Sequence, residues 1–351
     1  MSQTPTLFAT SSTAKEHPLT ETNFIDTIIM EAEKGFVSGT MKNIHLNNHL
    51  KAQEAIAYRF AHPFHLLANK ICKKNDNFLE YKDKDYPNYN ANHILDGKCV
   101  AAAGPTGISS LQQFFEEVIL NPGKPIKQII ALGHELTTES DKFFKQDYYD
   151  YCVSERVNQQ IGPYQLTVER ISGNPQFDEN RHSCFPNGTI QSRLTIHRDA
   201  DETNHLPAIT QQVDVTLFDI VDNTPLKLEH VSTPRHIYSH KTEILWNLYE
   251  KSQHEPVLIH CAAGVGRTGQ QLLTFELVKH HDQVFNSNDP VIIGNNICHM
   301  LEEIRKHRPA AVNTLAQFKE AIRNADILFH YGLDKKLQNE PSAITTMTRQ
   351  P

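Results

Sequence analysis

The sequence predicts an α/β (α+β) domain in which a central mixed, twisted sheet is flanked by helices. Strand-like runs dominate the middle of the 351-residue chain, and helical patterns dominate its end. One run, Val257–His260, is apolar like a buried strand, and a glycine-rich turn leads from it into a helical pattern. A turn of that kind is expected at the carboxyl end of a central strand, with helices packed on the faces of the sheet.

The spacing of apolar residues defines the individual elements. Helices are predicted where apolar residues recur every three or four positions, and strands where short runs are apolar throughout or alternate with polar residues. The helical patterns cover Phe24–Lys34, Leu50–Ala68, Ser110–Leu120, Ser239–Ser252, Gln270–His281, Val291–Lys306 and Leu315–His330. The strand-like runs cover Cys99–Ala103, Ile126–Leu132, Tyr164–Ile171, Gly188–His197, Gln212–Phe218 and Val257–His260.

A single domain is expected over residues 21–332, because no stretch there is linker-like enough to separate two cores. Residues 1–20 are rich in Ser, Thr and Pro, and residues 333–351 are polar. Both ends are therefore predicted to be flexible segments.

The composition excludes several classes of partner. A net charge of −7 argues against nucleic acid as a general partner. No uncharged apolar run approaches the roughly 18–20 residues that cross a membrane, and the N-terminal residues lack the pattern of a secretory signal. The six cysteines are scattered without zinc-like spacing. We therefore expect reduced thiols, no metal or other cofactor, and a cytoplasmic location.

Residues 256–269 read Pro-Val-Leu-Ile-His-Cys-Ala-Ala-Gly-Val-Gly-Arg-Thr-Gly and have the chemistry of an anion site. Small residues let the backbone curl so that successive N–H groups point inward, and the following helix adds the positive end of its dipole. These cradle residues are Ala262, Ala263, Gly264, Val265 and Gly266. In such a field Cys261 should ionise below the ordinary thiol pKa of about 8.5 and become a nucleophile. Arg267 adds a planar fork that matches two phosphate oxygens.

The pattern His-Cys-x5-Arg-Thr-Gly after an apolar strand resembles the signature of the cysteine-dependent protein tyrosine phosphatases. Other segments are similar to that family in the same order along the chain. They are Tyr89–Ile94, Ala101–Pro105, Gln113–Glu116, Leu301–Arg308 and Asn313–Gln317. Together they cover roughly residues 85–330 and indicate the large tyrosine-specific domain rather than the dual-specificity or low-molecular-weight forms.

The resemblance implies a role for each residue of the motif. Phosphate would bind to the N–H groups of residues 262–267 and to the Arg267 side chain, and Cys261 would attack the phosphorus. The Thr268 hydroxyl would hydrogen-bond the sulfur. His260 would fix the loop through its ring nitrogens, or would serve packing alone.

The resemblance also implies a general acid, the residue that gives a proton to the leaving group, but it defines this residue less well. Aligning the strand and turn with the family's Trp-Pro-Asp loop puts Asp222 at the acid, with Asp219 as runner-up and Asp214 after it. Ile220 and Val221 stand where the family has Trp and Pro. The alternative is that these carboxylates are surface groups that follow an edge strand.

Two further positions depart from the family. Asn313 stands where the family has the Gln that handles the hydrolytic water, and Gln317 could share that task. The family's substrate loop Lys-Asn-Arg-Tyr has no counterpart here, so the ring that stacks on phosphotyrosine would come from Phe78, Tyr81 or Tyr86.

The implied activity is hydrolysis of phosphotyrosine in protein substrates through a phosphocysteine intermediate, by a monomer. Three alternatives stay open: a catalytically silent phosphotyrosine-binding module, a phosphoinositide phosphatase, and a redox or sulfur-transfer protein. The intact Cys261, Arg267 and Thr268 argue against the first, the lack of lysines in the cradle against the second, and the lack of an adjacent resolving cysteine against the third. The polar chain ends would also suit a bacterial effector that is delivered into a host cytosol.

Overall fold

The computed structural model of the protein describes residues 22–36, 86, 89–105, 108–121, 125–133, 151–153, 155–173, 176–177, 183–184, 189–201, 203, 207–219, 238, 240–261, 264–308 and 310–339. Several predictions fall outside these residues. They are the flexible segment at residues 1–20, the helix at Leu50–Ala68, the aromatic candidates Phe78 and Tyr81, the cradle residues Ala262 and Ala263, and the acid candidate Asp222.

Among the described residues, eight strands form one sheet and two form a separate ribbon. The strands are β1 (Ala91–Ile94), β2 (Cys99–Ala103), β3 (Gln128–Gly133), β4 (Arg156–Ile161), β5 (Tyr164–Ser172), β6 (Gln176–Phe177), β7 (Ser183–Cys184), β8 (Thr189–Arg198), β9 (Ile209–Asp219) and β10 (Val257–Cys261). The order across the sheet is β1-β2-β10-β3-β9-β8-β5-β4, and β6 pairs with β7. Because β2, β10, β3 and β9 are parallel and the other neighbours are antiparallel, the predicted mixed sheet is confirmed.

Strand β10 lies within the parallel part of the sheet, and all of its residues are buried. Its continuous apolar run fits a strand that is covered on both faces, as parallel strands are. Cys261 pairs with Ala103 of β2, and His260 pairs with Ala131 of β3. Cys261 therefore lies at the carboxyl edge of the parallel strands, which is where open α/β sheets bind ligands.

The helices include every predicted helix that falls on described residues. They are α1 (Thr22–Gly35), α2 (Ile108–Phe114), α3 (His240–Ser252), α4 (Gly266–Lys279), α5 (His281–Val284), α6 (Pro290–His307) and α7 (Leu315–Asn339), with a π-helical turn at Phe115–Ile119. Helix α4 begins at Gly266 rather than at the predicted Gln270, because the low helix propensity of glycine masks its first turn in the sequence.

The domain boundary predicted at residue 332 is wrong, because α7 continues as a helix to Asn339. Residues beyond the boundary make contacts that hold this end of the helix in place. The Asp334 carboxylate accepts a hydrogen bond of 2.8 Å from the Tyr238 hydroxyl, and Lys335 donates one of 3.1 Å to Asn247 of α3. The polar residues after 332, which were predicted to form a flexible tail, therefore include the last turns of a packed helix whose polar side faces solvent.

Two apolar layers enclose the sheet. Residues of α1, α3, α4, α6 and α7 pack on one face, while α2 and the π-helical turn pack on the other. Helix α6 begins where the Asp289 carboxylate accepts a hydrogen bond of 2.9 Å from the Val291 N–H, with Pro290 in the first turn. Among the described residues, no helix is both long and apolar enough to span a membrane.

Strands β1 and β4 were not predicted, because their sequences are short and largely polar. They lie at the two edges of the sheet, where only one neighbouring strand is needed. In β4 the register shifts between Arg156 and Gln159, and Asn158 has a positive φ of 50°. Such an irregularity removes the alternation by which a strand is recognised in a sequence.

Candidate active site

Cys261 is the last residue of β10 and is 3% exposed. Its carbonyl oxygen accepts a hydrogen bond of 2.8 Å from the N–H of Gly104, which follows β2. Helix α4 begins a few residues later, and its N-cap residue is Val265. An apolar N-cap side chain cannot accept hydrogen bonds from the first N–H groups of a helix, so these donors stay available for an anion at the loop.

Gly264 gives the loop its tight curvature. It has a φ of +67°, a conformation that residues with a Cβ atom rarely adopt. A Cβ atom here would also overlap the carbonyl oxygen of Ala102 in β2. The carbonyl oxygen of Val265 then accepts hydrogen bonds from the N–H groups of Gly269, at 2.9 Å, and Val312, at 3.2 Å. The loop is thus held between β2, α4 and the segment before α7.

Arg308, at the end of α6, contacts the loop that follows Cys261, and its side chain is buried, with 2% exposed. Its Nε donates a hydrogen bond of 2.8 Å to the carbonyl oxygen of Gly264. Its Nη1 donates to the side-chain oxygens of Asn90, at 2.7 Å, and Asn92, at 2.6 Å. A buried guanidinium that is satisfied in this way fixes the orientation of the loop, because any displacement would leave the charge without its acceptors.

Arg267 lies in the first turn of α4, and its Nη1 donates a hydrogen bond of 3.0 Å to the carbonyl oxygen of Leu132 in β3. This bond turns the guanidinium toward the carboxyl edge of the sheet. Burial by itself raises the pKa of the Cys261 thiol, but the positive charge of Arg267 and hydrogen bonds from Thr268 and from the Gly264 N–H lower it below its ordinary value. The thiolate is therefore favoured by the residues that surround it.

The Thr268 hydroxyl is buried next to the sulfur. Among the described residues it has no hydrogen bond to nitrogen or oxygen, yet together with the Thr268 N–H it helps to lower the pKa of Cys261. A hydroxyl placed in this way can donate to a thiolate, as the sequence predicts.

His260 is fully buried behind the loop. Its Nε2 lies 2.6 Å from the hydroxyl oxygen of Tyr151, and the edge of the Phe114 ring packs against it, with ring centroids 5.7 Å apart. Burial lowers the pKa of His260 to about 4, and the charge of Arg267 acts in the same direction. The imidazole is thus neutral near pH 7, with Tyr151 and the Cys261 carbonyl oxygen, 3.5 Å from Nδ1, as its polar neighbours.

Residues 310–317, which lead into α7, also approach the loop that follows Cys261. Ala310 and Val312 have positive φ values of 65° and 57°, and the Arg305 guanidinium donates hydrogen bonds of 2.9 Å to the carbonyl oxygens of Ala311 and Val312. These bonds hold a strained turn that packs closely against Gly269 of α4, where a Cβ atom would come within 2.8 Å of Ala311.

Gln317 lies in the first turn of α7. Its Oε1 accepts hydrogen bonds from the N–H groups of Asn313, at 3.0 Å, and Thr314, at 3.2 Å, and the Thr314 hydroxyl accepts one of 3.2 Å from the Gln317 N–H. This is a reciprocal cap of the helix. The Nε2 of Gln317 lies 2.9 Å from the position of a Cβ atom on Gly266, so the carboxamide reaches the loop.

Residues 71–325 match the family profile described as Protein-tyrosine phosphatase, which spans more than half of the chain. The chain belongs to the protein-tyrosine phosphatase family. Its resemblance to this family, predicted from the sequence, is confirmed, whereas a bacterial effector origin stays a prediction. No curated protein matches the sequence.

Solved structures of distant phosphatases share similarity with this chain. A structure describing the fingerprint of PTPN18 on distinct HER2 tyrosine phosphorylation sites is 17% identical over 69% of this chain and 74% of that one, with a TM-score of 0.43. TbPTP1 of Trypanosoma brucei is 18% identical over 70% and 75%, with a TM-score of 0.46. TcPTP1 of Trypanosoma cruzi is 18% identical over 73% and 75%, with a TM-score of 0.42.

The sheet register separates the acid candidates of this phosphatase family member. Asp214 pairs with Gln128, which pairs with Val257 at the start of β10, roughly 13 Å along the sheet from Cys261. The Asp214 carboxylate accepts a hydrogen bond of 2.8 Å from the Nε of Arg193. The lowest-ranked candidate is therefore wrong, because it lies in the middle of β9, far from Cys261, and is paired with Arg193.

Asp219 ends β9 at the same edge as Cys261, since it pairs with Gly133 at the end of β3. Two strand spacings separate β9 from β10, or about 10 Å. The chain thus leaves β9 at the catalytic edge, and Asp222, which lies outside the described residues, follows three positions later.

Tyr86 is wrong as a candidate for the ring that stacks on phosphotyrosine. It is fully buried in the core on the α2 side of the sheet, where its ring stacks on His93 with centroids 5.0 Å apart. A ring that is packed on all sides cannot line an open pocket.

Sequence reasoning assigned no role to Tyr151, Arg305 or Arg308. Arg305 and Arg308 lie in a segment that resembles the phosphatase family, but a charged residue near the end of a helix usually indicates a solvated position. Both arginines are buried, and both donate to backbone carbonyl groups around the loop. Arg308 is the C-cap residue of α6 and follows Arg305 by three positions; two arginines at this spacing where an amphipathic helix ends are the signal that could have indicated them.

Proposed function

We propose that the protein hydrolyses phosphotyrosine in protein substrates through a phosphocysteine intermediate. The observation that carries this proposal is the position of Cys261 at the carboxyl end of β10, next to Arg267 and Thr268 in the first turn of α4. These two residues and the Gly264 N–H favour the thiolate against the effect of burial. The same groups that stabilise a thiolate also stabilise the dianionic phosphate that it attacks.

In the first step the Cys261 sulfur attacks the phosphorus, and the bond between phosphorus and the phenolic oxygen breaks. Arg267 and the N–H groups of residues 262–267 bind the three equatorial oxygens as negative charge spreads over them. The leaving phenolate takes a proton from a carboxylic acid, for which Asp222 is the first candidate and Asp219 the second. The end of β9 at the catalytic edge supports both.

In the second step a water molecule attacks the phosphocysteine, and the carboxylate that donated the proton now accepts one. The sulfur leaves as a thiolate, which Thr268 stabilises. Asn313 and Gln317 orient the water. Since Oε1 of Gln317 already accepts two backbone hydrogen bonds, the Asn313 carboxamide is the better candidate for accepting a hydrogen bond from this water.

The proposal is tested with para-nitrophenyl phosphate and with peptides that carry phosphotyrosine or phosphoserine, in reductant and without added metal. The parent should hydrolyse the aryl phosphate and the phosphotyrosine peptide. Cys261→Ser should abolish turnover and retain phosphate binding. A Cys261→Ser variant that hydrolyses at the parent rate would contradict the assignment of the nucleophile.

The acid is assigned by comparing Asp222→Ala with Asp219→Ala. Loss of the acid should lower kcat by about a hundredfold or more. A large loss in the Asp219 variant alone would transfer the role to Asp219.

The alternative functions predict different outcomes with the parent protein. Faster hydrolysis of inositol lipids than of phosphopeptides would favour the phosphoinositide phosphatase, and binding of phosphotyrosine without turnover would favour the silent binding module. Action in a cytosol, of its own cell or of a host, stays a prediction.

A further inference from the structure

A groove lies where the layer of helices on one face of the sheet ends, beside α3. Helices α1, α3, α4, α6 and α7 cover the parallel strands on this face, but among the described residues the apolar cluster beneath them includes none of β8 or β5. On this side β8 carries polar residues such as Gln191 and Arg193, whereas Leu194 and Ile196 pack in the cluster on the other face. The antiparallel part of the sheet thus presents a polar surface next to α3.

The cavity between this surface and α3, which we name the α3 groove, has a volume of about 740 Å³. One wall comes from β5, β8 and β9 and includes Ile171, Arg193 and Thr216. The other wall comes from α3 and the turn after it and includes Asn247 and Lys251. Cavities of this size are large enough to bind a ligand or a short segment of peptide.

The charges of the α3 groove leave one cation without a carboxylate partner. Asp214 accepts hydrogen bonds from the Nε of Arg193, at 2.8 Å, and from its Nη2, at 3.3 Å. Glu250 lies 3.9 Å from the Nζ of Lys335. Lys251 is exposed and forms no ion pair with any described residue. Both carboxylates of the groove therefore have a cation, and the Lys251 ammonium group can pair with an acidic group of a ligand.

The uncharged residues of the α3 groove suit a peptide. The side-chain amides of Gln191, Asn247 and Gln253 can each donate and accept hydrogen bonds, and so they match the backbone amides of an extended chain. Ile171 is 50% exposed where it lines the groove, so an aliphatic side chain of the ligand would cover apolar surface there. An extended segment with acidic and aliphatic side chains would therefore satisfy both kinds of surface.

We propose that the α3 groove is a docking site for protein substrates and that it binds an extended segment in which acidic and aliphatic side chains alternate. This inference rests on the proposed function and names the substrates that it favours. Asp214 in the groove is about 16 Å from Cys261, since it is roughly 13 Å along the sheet and two strand spacings across it. A flexible spacer of about eight residues has a root-mean-square length of this order. One substrate chain can thus occupy the groove and the catalytic loop together.

The test compares two phosphopeptides that differ only in charge. Each carries a central phosphotyrosine and, on both sides after a Gly-Ser spacer of about eight residues, the segment Glu-Leu-Asp-Ile or, in the control peptide, Lys-Leu-Lys-Ile. With the parent, KM should be roughly fivefold lower for the acidic peptide, which is the effect of one exposed ion pair. The two peptides should have the same kcat, because the docked segment does not contact the phosphate.

Lys251→Glu should abolish or reverse this preference, because it replaces the cation of the groove by a carboxylate. Lys306→Glu is the matched control: it changes the net charge by the same amount at an exposed position of α6 outside the groove, and the preference should persist. Both variants should hydrolyse para-nitrophenyl phosphate at the parent rate, because this ester is too small to reach the groove. Equal KM values for the two peptides with the parent, or an undiminished preference in Lys251→Glu, would overturn the inference.

Thermal unfolding of each variant shows whether it is folded at the assay temperature. If Lys251→Glu unfolds, Lys251→Ala, which only removes the charge, decides the question by the same KM values. Sedimentation tests the other occupant: a parent dimer that Lys251→Glu dissociates would assign the groove to a second copy of the chain and would overturn the inference. A parent that hydrolyses no phosphate ester would overturn the proposed function and this inference with it, whereas an active parent that does not distinguish the peptides would overturn the inference alone.

Discussion

The Nε of Arg308 donates a hydrogen bond of 2.8 Å to the carbonyl oxygen of Gly264 and thereby joins the end of α6 to the loop that follows Cys261. The same guanidinium reaches the side chains of Asn90 and Asn92, next to and within β1. One buried cation thus connects three segments that are far apart in the sequence. The geometry of the loop is therefore a property of the folded domain.

Replacing Arg308 by Met should destabilise the protein by about 3 kcal/mol or more, because buried acceptors lose charged donors. Urea-induced unfolding measures this free energy. Arg323→Met is the control: it removes a partly exposed ion pair with Asp26, at 3.5 Å, and should cost about 1 kcal/mol or less. Equal effects of the two substitutions would show that the buried network does not stabilise the fold.

Gly264→Ala should lower kcat by at least about a hundredfold, because the loop must move away from Ala102 to accept a Cβ atom and its N–H groups then miss the phosphate. The rate with para-nitrophenyl phosphate measures this loss. Gly162→Ala is the matched control: its φ is also positive, at +58°, but the new Cβ atom meets the flexible Gln112 side chain. A parent-like rate in the Gly264 variant would contradict the proposed role of the loop.

The thiol of Cys261 should react with iodoacetamide at a pH below the ordinary thiol pKa of about 8.5, because its surroundings lower its pKa. The pH dependence of the alkylation rate measures that pKa, with Cys261→Ser providing the background of the other thiols. Arg267→Met should move the curve to higher pH, and Thr268→Val should move it in the same direction. An unchanged curve in the Arg267 variant would mean that the guanidinium does not act on the sulfur.

His260 should make the folded state less stable on acidification. Its pKa is about 4 in the folded protein, against 6.5 for an unperturbed histidine. Between these values the unfolded chain binds a proton that the folded chain excludes, so the free energy of unfolding falls as the pH is lowered through this window. The contribution of this group is on the order of 3 kcal/mol.

Unfolding in urea at several pH values between 4 and 7 measures this effect. The relevant quantity is the difference between the parent and His260→Asn, because carboxylates also titrate at the acidic end. The variant should be less stable at pH 7 and should lose less stability on acidification. Parallel curves for the two proteins would show that His260 does not carry the effect.

Features whose residues are contiguous could be predicted from the sequence. The apolar run of β10, the small residues after it and Arg267 are neighbours in the chain, so strand, loop and helix follow from local preferences. Helices α3, α6 and α7 could also be predicted, since amphipathic spacing is a local signal. Polar edge strands could not: β1 and β4 form because a neighbouring strand supplies hydrogen bonds that no local pattern indicates.

The residues that complete the site depend on tertiary structure. His260 meets Tyr151, which is 109 positions away in the chain, and Arg308 meets Asn92, which is 216 positions away. Asp214 and Asp219 are equally polar in the sequence, yet strand register pairs Asp214 with the start of β3 and Asp219 with its end.

The sequence by itself determined the central strand and predicted the nucleophile and the anion-binding loop, because these need only residues that are adjacent in the chain. The tertiary structure decided which buried arginine holds that loop, how deeply His260 is buried and that Asp219 lies at the same edge of the sheet as Cys261. Burial and strand register arise when distant segments pack, and they set the local charge and the distances on which reactivity depends.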